Sequence, residues 1–254
     1  MNSTKFSLTI GWLYPDLMST YGDRGNIVVL SKIAKWNNID VIVKPIDQKT
    51  LPEDIKKLDF IFGGGSQDTQ QEIVMRDLMG KKGAVIKELI EHDIPALFVC
   101  GSPQIMGNYY EPAMGKKIEG LSIFDMHTIN PGPDAPRCIG NIVAREQLTG
   151  KDVEIVGFEN HGGRTFLGKS MNPFAKVVLG FGNNGEDGTE GVIYKNAVGC
   201  YFHGPLLSKN PSIAAHLLQK AIGVKYNEEI ACNYPDTELE NNARKVIIER
   251  YSQK

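Results

Sequence analysis

Short apolar runs alternate with longer amphipathic stretches through the first part of the chain. Four apolar runs have the length of buried strands and are predicted as such: Lys5 to Leu13, Asp40 to Ile46, Leu58 to Phe62 and Pro95 to Val99. Two helical patterns lie between them, Gly25 to Trp36 and Thr69 to Glu91. Strands that alternate with helices of this length indicate βαβ units and a parallel, doubly wound sheet. In such sheets ligands bind outside the carboxyl ends of the strands.

The second half of the chain is richer in short strands and turns. Five strand patterns are predicted there: 140–144, 152–158, 175–180, 192–195 and 198–202. A helix follows at Ser212 to Ile222, with Ser212 near its N-cap, and an amphipathic helix at about 236–251. No linker or repeat divides the chain. We therefore expect one α/β domain over residues 1–254, with a mostly parallel central sheet flanked by helices and additional antiparallel strands in the second half.

Composition narrows the class of protein. The 254 residues carry 28 basic and 30 acidic side chains, a formal charge of −2, which offers no strong field for nucleic acid or an anionic membrane. No apolar run approaches the ~20 residues that span a bilayer, and the N-terminus lacks the apolar core of a signal peptide. The four cysteines are far apart, with no CxxC pair and no zinc-finger spacing. We expect a reduced, cytoplasmic protein without a metal or cofactor.

The most informative stretch is the point where the Pro95 to Val99 strand stops at Cys100. Gly101 allows a tight turn, and Pro103 suits the first turn of a helix. Residues Gln104 to Gly107 are predicted to form the beginning of that helix. A cysteine on such a strand-to-helix elbow has an exposed sulfur, and the neighbouring helix N-terminus favours its thiolate. The alternative is a buried structural cysteine at a strand end.

A nucleophilic thiol needs a base, and His203 is the best candidate. It follows the Val198 to Phe202 strand pattern as Cys100 follows its own strand, so both side chains are expected on the same edge of one sheet. His161 is the second choice. The other histidines lie in polar or helical contexts typical of surface residues: His92, His127 and His216.

The glycine loop after Phe62 is neither a phosphate-binding loop nor a dinucleotide fingerprint. One interpretation is a plain glycine turn between a strand and a helix. The other is that the turn also provides backbone N–H donors, and both can hold at once. In the second case the N–H groups of Gly64 and Gly65 would form an oxyanion hole with that of Gly101. With Cys100 and His203, such donors would support acyl transfer through a thioester.

Several ordered motifs carry a resemblance to a known family. They are Tyr21-Gly-Asp-Arg-Gly-Asn26, Phe62-Gly-Gly-Gly65, Cys100-Gly, Ile118-Glu-Gly-Leu121, Gly157-Phe-Glu-Asn-His-Gly-Gly-Arg-Thr165 and Tyr201-Phe-His-Gly-Pro205. Together they span nearly the whole chain, which resembles the class I (triad-type) glutamine amidotransferases, in the cobyric acid synthase-like branch. The resemblance implies a flavodoxin-like fold and hydrolysis of L-glutamine to glutamate and ammonia.

The resemblance also implies roles for individual residues. Cys100 would be the nucleophile and His203 the base. Arg137 would bind the α-carboxylate of glutamine with its bidentate guanidinium. Without the resemblance, the sequence around Arg137 would favour a solvated loop arginine. Gln104, Asn160 and Gly162 resemble residues of the glutamine pocket.

A partner chain is implied as well. Because this chain has no nucleotide-binding motif, ATP-dependent chemistry must lie elsewhere. The resemblance implies a heterodimer with a Mur-ligase-like, ATP-dependent subunit (MurT), which would use the ammonia to amidate the D-glutamate of lipid II in peptidoglycan synthesis. A glutaminase for another acceptor, such as a corrinoid, and a non-catalytic pseudo-amidotransferase that only binds a partner remain the alternatives.

Two departures from the family pattern bear on the site. The usual elbow Cys-Gly-Gly-Tyr-Gln is here Cys100-Gly-Ser-Pro-Gln104, which keeps the Gly101 N–H and loses the aromatic residue. Most class I enzymes also carry a Glu two residues after the histidine, where this chain has Pro205. His203 would then have another orienter or none, and the candidates are Asp23 and an acidic residue of the partner.

Overall fold

The computed structural model describes residues 6–234 and 238–252. Its strands are β1 Phe6–Leu13, β2 Ile39–Ile46, β3 Phe60–Gly63, β4 Ala96–Val99, β5 Tyr109–Glu111, β6 Ile118–Glu119, β7 Met126–Ile129, β8 Cys138–Glu146, β9 Glu154–His161, β10 Arg164–Leu167, β11 Ala175–Leu179, β12 Thr189–Glu190, β13 Val192–Tyr194 and β14 Ala197–Cys200. Its helices are α1 Arg24–Trp36, α2 Pro52–Ile55, α3 Asp68–Leu78, α4 Lys81–Glu91, α5 Gly101–Met106, α6 Leu206–Lys209, α7 Pro211–Tyr226 and α8 Glu238–Ser252.

A six-stranded sheet with the order β13-β14-β4-β3-β1-β2 forms the centre of the fold. Its strands pair in parallel except β13, which is antiparallel to β14. The inner strands β3, β4 and β14 are buried at every position. Such uninterrupted burial is what a parallel strand covered on both faces requires, and it explains why these segments appear in the sequence as short apolar runs.

Helices cover the two faces of this sheet with separate apolar clusters. One cluster joins the sheet to the apolar sides of α1, α6 and α7, and the other joins it to α2, α3, α4 and α5. The predicted α/β class is therefore confirmed. No helix in the part of the chain that the structure describes is long and apolar enough to cross a membrane.

The second half adds two four-stranded sheets. Their orders are β10-β7-β5-β6 and β12-β11-β8-β9, and their pairs are antiparallel except for β5 with β7. The predicted additional antiparallel strands thus belong to separate sheets. In the second of these sheets, β9 lies beside the segment that follows the carboxyl end of β14.

Three helix predictions need correction or completion. The pattern from Thr69 to Glu91 is two helices, because the chain turns at Gly80, whose φ of +117° suits glycine alone. Helix α7 begins at Pro211, with Asn210 and not Ser212 at its N-cap. The terminal helix predicted at about 236–251 corresponds to α8; residues 236 and 237, like Lys5 of the first predicted strand, lie outside the described residues.

Candidate active site

Cys100 lies on a strained turn between β4 and α5. Its φ of 57° and ψ of −101° belong to a region that non-glycine residues rarely adopt. The Cys100 N–H donates to the Cys200 carbonyl at 2.8 Å, so β14 fixes the backbone at the elbow. The residue is 8% exposed. A strained backbone at a residue whose side chain lines a cavity is typical of a nucleophile elbow.

His203 reaches the same edge by leaving the central sheet. Strand β14 ends at Cys200, and the following segment pairs with β9: the His203 N–H donates to the Phe158 carbonyl at 2.7 Å, and the Phe158 N–H donates back at 3.2 Å. The predicted strand to Phe202 is therefore too long by two residues. The pairing holds the imidazole in a buried position beside Cys100.

Asp23 supplies a carboxylate to this histidine from the loop before α1. Its Oδ1 lies 2.9 Å from His203 Nδ1, and its Oδ2 accepts the Gly65 N–H at 2.7 Å. Asp23 is fully buried. Of the two sources of a carboxylate that the sequence left open, the structure places the one from this chain against the imidazole.

Gly65 is the point at which the three side chains meet. A Cβ built on Gly65 would lie 3.1 Å from His203 Cε1, 3.2 Å from Asp23 Oδ2 and 3.3 Å from Cys100 Cβ. The glycine therefore allows a close approach that any side chain would obstruct.

The electrostatics of His203 follow from this enclosure. Burial lowers the pKa of the imidazole, but the hydrogen bond to Asp23, the nearby Cys100 thiolate and the charge of Asp23 outweigh it and raise the pKa to about 10. The imidazolium is thus favoured at neutral pH, and an imidazolium stabilises a neighbouring thiolate.

The backbone groups near the predicted oxyanion donors are partly engaged. The Gly65 N–H donates to Asp23, and the Gly64 carbonyl accepts the Ser102 hydroxyl at 2.6 Å. Ser66, the next residue of the same loop, lines the cavity. The Ser66 nitrogen lies 2.9 Å from the position of a Cβ on Gly101, so the Ser66 backbone is a further candidate source of an N–H donor beside Gly101.

The cavity in front of Cys100 has a volume of about 390 Å³. Four of the residues that the resemblance implicates line it: Gln104, Arg137, Asn160 and Gly162. The structure therefore brings the predicted pocket residues and the predicted nucleophile to one place.

Arg137 is exposed but is not a free loop arginine. Its Nε donates to Asn160 Oδ1 at 2.9 Å and its Nη2 to the Asn160 carbonyl at 3.1 Å. Its Nη1 lies 3.3 Å from the position of a Cβ on Gly162. The amide of Asn160 in turn donates to the hydroxyl of Tyr21 at 2.9 Å, and the Tyr21 ring meets His203 edge-on at 4.9 Å. The guanidinium is thereby held in one orientation at the cavity wall.

Gln104 is held in a buried chain of hydrogen bonds. Its Oε1 accepts from Gln71 Nε2 at 2.9 Å, and its Nε2 donates to the Tyr201 hydroxyl at 3.1 Å. The Tyr201 N–H donates to Glu190 Oε1 at 2.6 Å. Burial raises the pKa of the Glu190 carboxyl to about 8, although two backbone hydrogen bonds oppose this rise.

His161, the second choice of base, stacks on Tyr201 at 3.8 Å and bonds the Gly163 carbonyl through Nδ1. Its ring therefore forms part of the wall of the cavity.

Sequence reasoning missed several residues of the cavity wall, among them Tyr21, Ser66, Asp68, Gln71 and Tyr110. Tyr21 is the first residue of one motif named above and Ser66 directly follows another, so their positions near the site could have been predicted. The others lie on segments whose polar residues resemble those of any helix surface or strand edge.

Pro205, which stands where most class I enzymes carry a Glu, packs against the start of α1. A Cβ on Gly25 would lie only 2.2 Å from the Pro205 ring. Asp23, two residues before this glycine, supplies the carboxylate that contacts His203.

Fold and site together define the class of this protein: the chain belongs to the family of CobB/CobQ-like glutamine amidotransferase domains, whose model matches residues 9–211. Among curated proteins it is 42% identical over 227 residues to lipid II isoglutaminyl synthase (glutamine-hydrolyzing) subunit GatD of Streptococcus pneumoniae, covering 89% of this chain and 84% of that protein. It is 38% identical to the Staphylococcus aureus GatD subunit over 247 residues, covering 96% of each.

More distant similarities agree with this assignment. A probable cobyric acid synthase of Methanosphaera stadtmanae is 29% identical over 69% of this chain, which corresponds to 37% of that larger protein. A crystal structure of a glutamine amidotransferase matches with a TM-score of 0.58 at 14% identity, covering 84% of this chain and 98% of that one. The glutaminase domain of Trypanosoma brucei CTPS with bound acivicin matches with a TM-score of 0.58 at 11% identity, covering 89% and 96%. These structural matches establish the fold.

Proposed function

We propose that this chain is the glutaminase subunit of a lipid II isoglutaminyl synthase and hydrolyses L-glutamine to glutamate and ammonia. The observation that carries the proposal is the convergence of Cys100, His203 and Asp23 at Gly65, at the end of a cavity lined by Arg137 and Gln104. The similarity to two GatD subunits over most of their length supports the choice of acceptor.

The first half of the reaction forms a thioester. The Cys100 thiolate attacks the γ-carboxamide carbon of glutamine, and the N–H groups of Ser66 and Gly101 stabilise the oxyanion. The His203 imidazolium gives its Nε2 proton to the leaving nitrogen, and ammonia departs. Asp23 keeps Nδ1 protonated and the ring in position throughout.

The second half releases glutamate. The neutral imidazole accepts a proton from water, and the resulting hydroxide attacks the thioester carbon. The thiolate leaves with the electron pair of the C–S bond, which restores the ion pair with the imidazolium. Arg137 holds the α-carboxylate of the substrate, and Gln104, Asn160 and Gly162 shape the pocket around it.

The ammonia then passes to a partner. We infer a heterodimer in the cytoplasm with an ATP-dependent, Mur-ligase-like subunit, MurT, which amidates the D-glutamate of lipid II. No phosphate-binding loop occurs in this chain, so the activation of the acceptor falls to the partner. We further infer that residues 1–254 form one catalytic domain with α8 at its end.

Ammonia release from L-glutamine tests the proposal. Wild type and Cys100→Ser are assayed alone and with co-expressed partner, and the complex is then supplied with lipid II and ATP. We expect glutamine-dependent amidation that Cys100→Ser abolishes and that added ammonium salt restores. Equal ammonia release by both proteins would overturn the glutaminase assignment, and amidation of a corrinoid in place of lipid II would overturn the choice of acceptor.

A further inference from the structure

The cavity in front of Cys100 contains one side chain of each fixed charge. Among the Asp, Glu, Lys and Arg residues of the described chain, only Asp68 and Arg137 line it. The other residues of the wall are Cys100, His161, glycines and side chains that carry hydroxyl or amide groups. A cavity with one carboxylate and one guanidinium is matched in charge to a zwitterion.

Asp68 is the first residue of α3, but it is not the residue that caps this helix. Gln67 and Gln70 form the reciprocal capping pair at its N-terminus. Asp68 Oδ1 accepts the Tyr110 hydroxyl at 2.9 Å, and Oδ2 accepts no hydrogen bond from the residues that the structure describes. The carboxylate is therefore oriented by one contact and keeps one oxygen for a ligand.

Tyr110 is a fixed donor to this carboxylate. Burial and the Asp68 charge raise the pKa of the Tyr110 hydroxyl, which keeps its proton at any physiological pH. The half-buried position of Asp68 and the rigid tyrosine behind it favour a defined orientation.

Arg137 and the tyrosine bonded to Asp68 both approach the Gly162–Gly163 turn. Arg137 Nη1 is 3.3 Å from the position of a Cβ on Gly162, and Tyr110 Cε2 is 3.6 Å from that of a Cβ on Gly163. Gln104 Nε2 lies 3.0 Å from the Gly163 position. Asp68, Arg137 and Cys100 line the same cavity, so a small substrate bound there has all three groups on its wall.

We propose that Asp68 binds the α-ammonium group of the substrate and, with Arg137, makes this cavity selective for a free α-amino acid. This inference rests on the proposed glutaminase function. With the γ-carboxamide at Cys100 and the α-carboxylate at Arg137, the ammonium is the one remaining polar group of glutamine, and Asp68 is the one acidic side chain on the wall. A substrate that fills the cavity removes water from the exposed Arg137 and the half-buried Asp68, and each charge then has an opposite partner on the substrate.

Asp68 would thereby let the enzyme distinguish free glutamine from analogues without a free α-ammonium group, which the reacting groups alone would not do. Glutamine without its ammonium, or with that nitrogen acylated as in a peptide, would leave Asp68 without a cation. A site that desolvates an unpaired polar group rejects the ligand that lacks the matching group. The enzyme would therefore hydrolyse free glutamine and spare glutaminyl residues in peptides.

The test compares L-glutamine with glutaramate, which is glutamine without the α-ammonium group. Ammonia release is measured for wild type, Asp68→Asn and the control Glu72→Gln, each in complex with the partner. Glu72 lies one turn further along α3 and outside this cavity, so its replacement removes a charge from the same helix. Thermal unfolding of the three proteins confirms that each is folded.

We expect wild type to prefer glutamine in kcat/KM by about 10- to 150-fold, the range for one charge-assisted hydrogen bond. Asp68→Asn should lose most of this preference, chiefly through a higher KM for glutamine, with glutaramate hydrolysis little changed. Glu72→Gln should keep the wild-type ratio.

The outcomes separate the inference from the function on which it rests. Equal hydrolysis of both compounds by wild type overturns the inference without need of any variant. A wild-type ratio in Asp68→Asn, or an equal loss for both compounds, also overturns it and leaves the glutaminase function standing. No ammonia from either compound with wild type overturns both.

Discussion

Replacement of Asp23 by Asn removes the charge behind His203 while keeping the size of the side chain. The carboxylate accepts two hydrogen bonds, from His203 Nδ1 and from the Gly65 N–H. An amide has one accepting oxygen and one donating nitrogen, so it cannot serve both. If the oxygen stays with Gly65, the amide nitrogen faces Nδ1, which must then be unprotonated, and the proton moves to Nε2. That tautomer cannot accept a proton from a thiol or from water.

The expected fall in kcat follows from the effect of the wrong tautomer on proton transfer. In a triad of this type the same exchange lowers kcat on the order of 10⁴-fold, with little change in geometry. We expect a fall of about 10³- to 10⁴-fold in kcat for glutamine hydrolysis by Asp23→Asn and a small change in KM, because the imidazole acts in the transition state. Asp16→Asn, in the same loop but exposed, is the matched control.

The assay is steady-state ammonia release by the isolated chain and by the reconstituted complex. A folded Asp23→Asn protein within about tenfold of the wild-type kcat in both preparations would refute the reasoning and leave a Cys100–His203 dyad. Activity lost in the isolated chain but restored in the complex would instead assign the orienting carboxylate to the partner.

The same variant has a consequence for stability. The pKa of His203 is about 10 in the folded chain and about 6.5 when unfolded, so the native state binds the extra proton between these values. The stabilisation is complete below about pH 6.5 and is lost as pH rises through about 10. The difference in unfolding free energy between wild type and Asp23→Asn should therefore shrink between pH 7 and pH 10 in urea titrations; a constant difference would contradict the ion pair.

Three further substitutions test the rest of the site. Cys100→Ser should abolish ammonia release and the thioester, seen by mass spectrometry of the quenched protein, with Cys232→Ser remaining active; turnover by Cys100→Ser would contradict the nucleophile. Arg137→Lys loses the planar fork held by Asn160, so the KM for glutamine should rise by about 10- to 150-fold with kcat nearly kept, and an unchanged KM would make Arg137 a surface residue. Gly65→Ala places a methyl group about 3 Å from His203 and Cys100, so kcat should fall by at least about tenfold in a protein that still unfolds cooperatively, and wild-type kcat would show that the three groups have room to move.

Much of the fold follows from pattern alone. The inner strands are buried on both faces, so their apolar runs are continuous and short, and the predicted runs overlap β3, β4 and β14 closely. The rule that ligands lie at the carboxyl ends of parallel strands placed Cys100 and His203 on one edge. The break at Gly80 was missed because a helical pattern on both sides looks continuous when one glycine is ignored.

The contacts within the site were harder to predict. Asp23 and His203 are 180 residues apart, and nothing in either local sequence specifies that they touch. The sequence also did not show that the Asp23 carboxylate accepts the Gly65 N–H, a contact that bears on which N–H of the loop from Gly64 to Ser66 is free to face a substrate. Such decisions rest on tertiary contacts between side chain and backbone.

The two departures from the usual family pattern both contact one glycine loop of this chain. Pro205 packs on Gly25 at the start of α1, and Asp23, two residues before that glycine, contacts His203. The Asp23 carboxylate also accepts the Gly65 N–H, while Ser102 of the altered elbow donates to the Gly64 carbonyl. The Gly64–Gly65 loop is therefore held by the residue that contacts the histidine and by a residue of the altered elbow, and a change at either would be transmitted to the same loop.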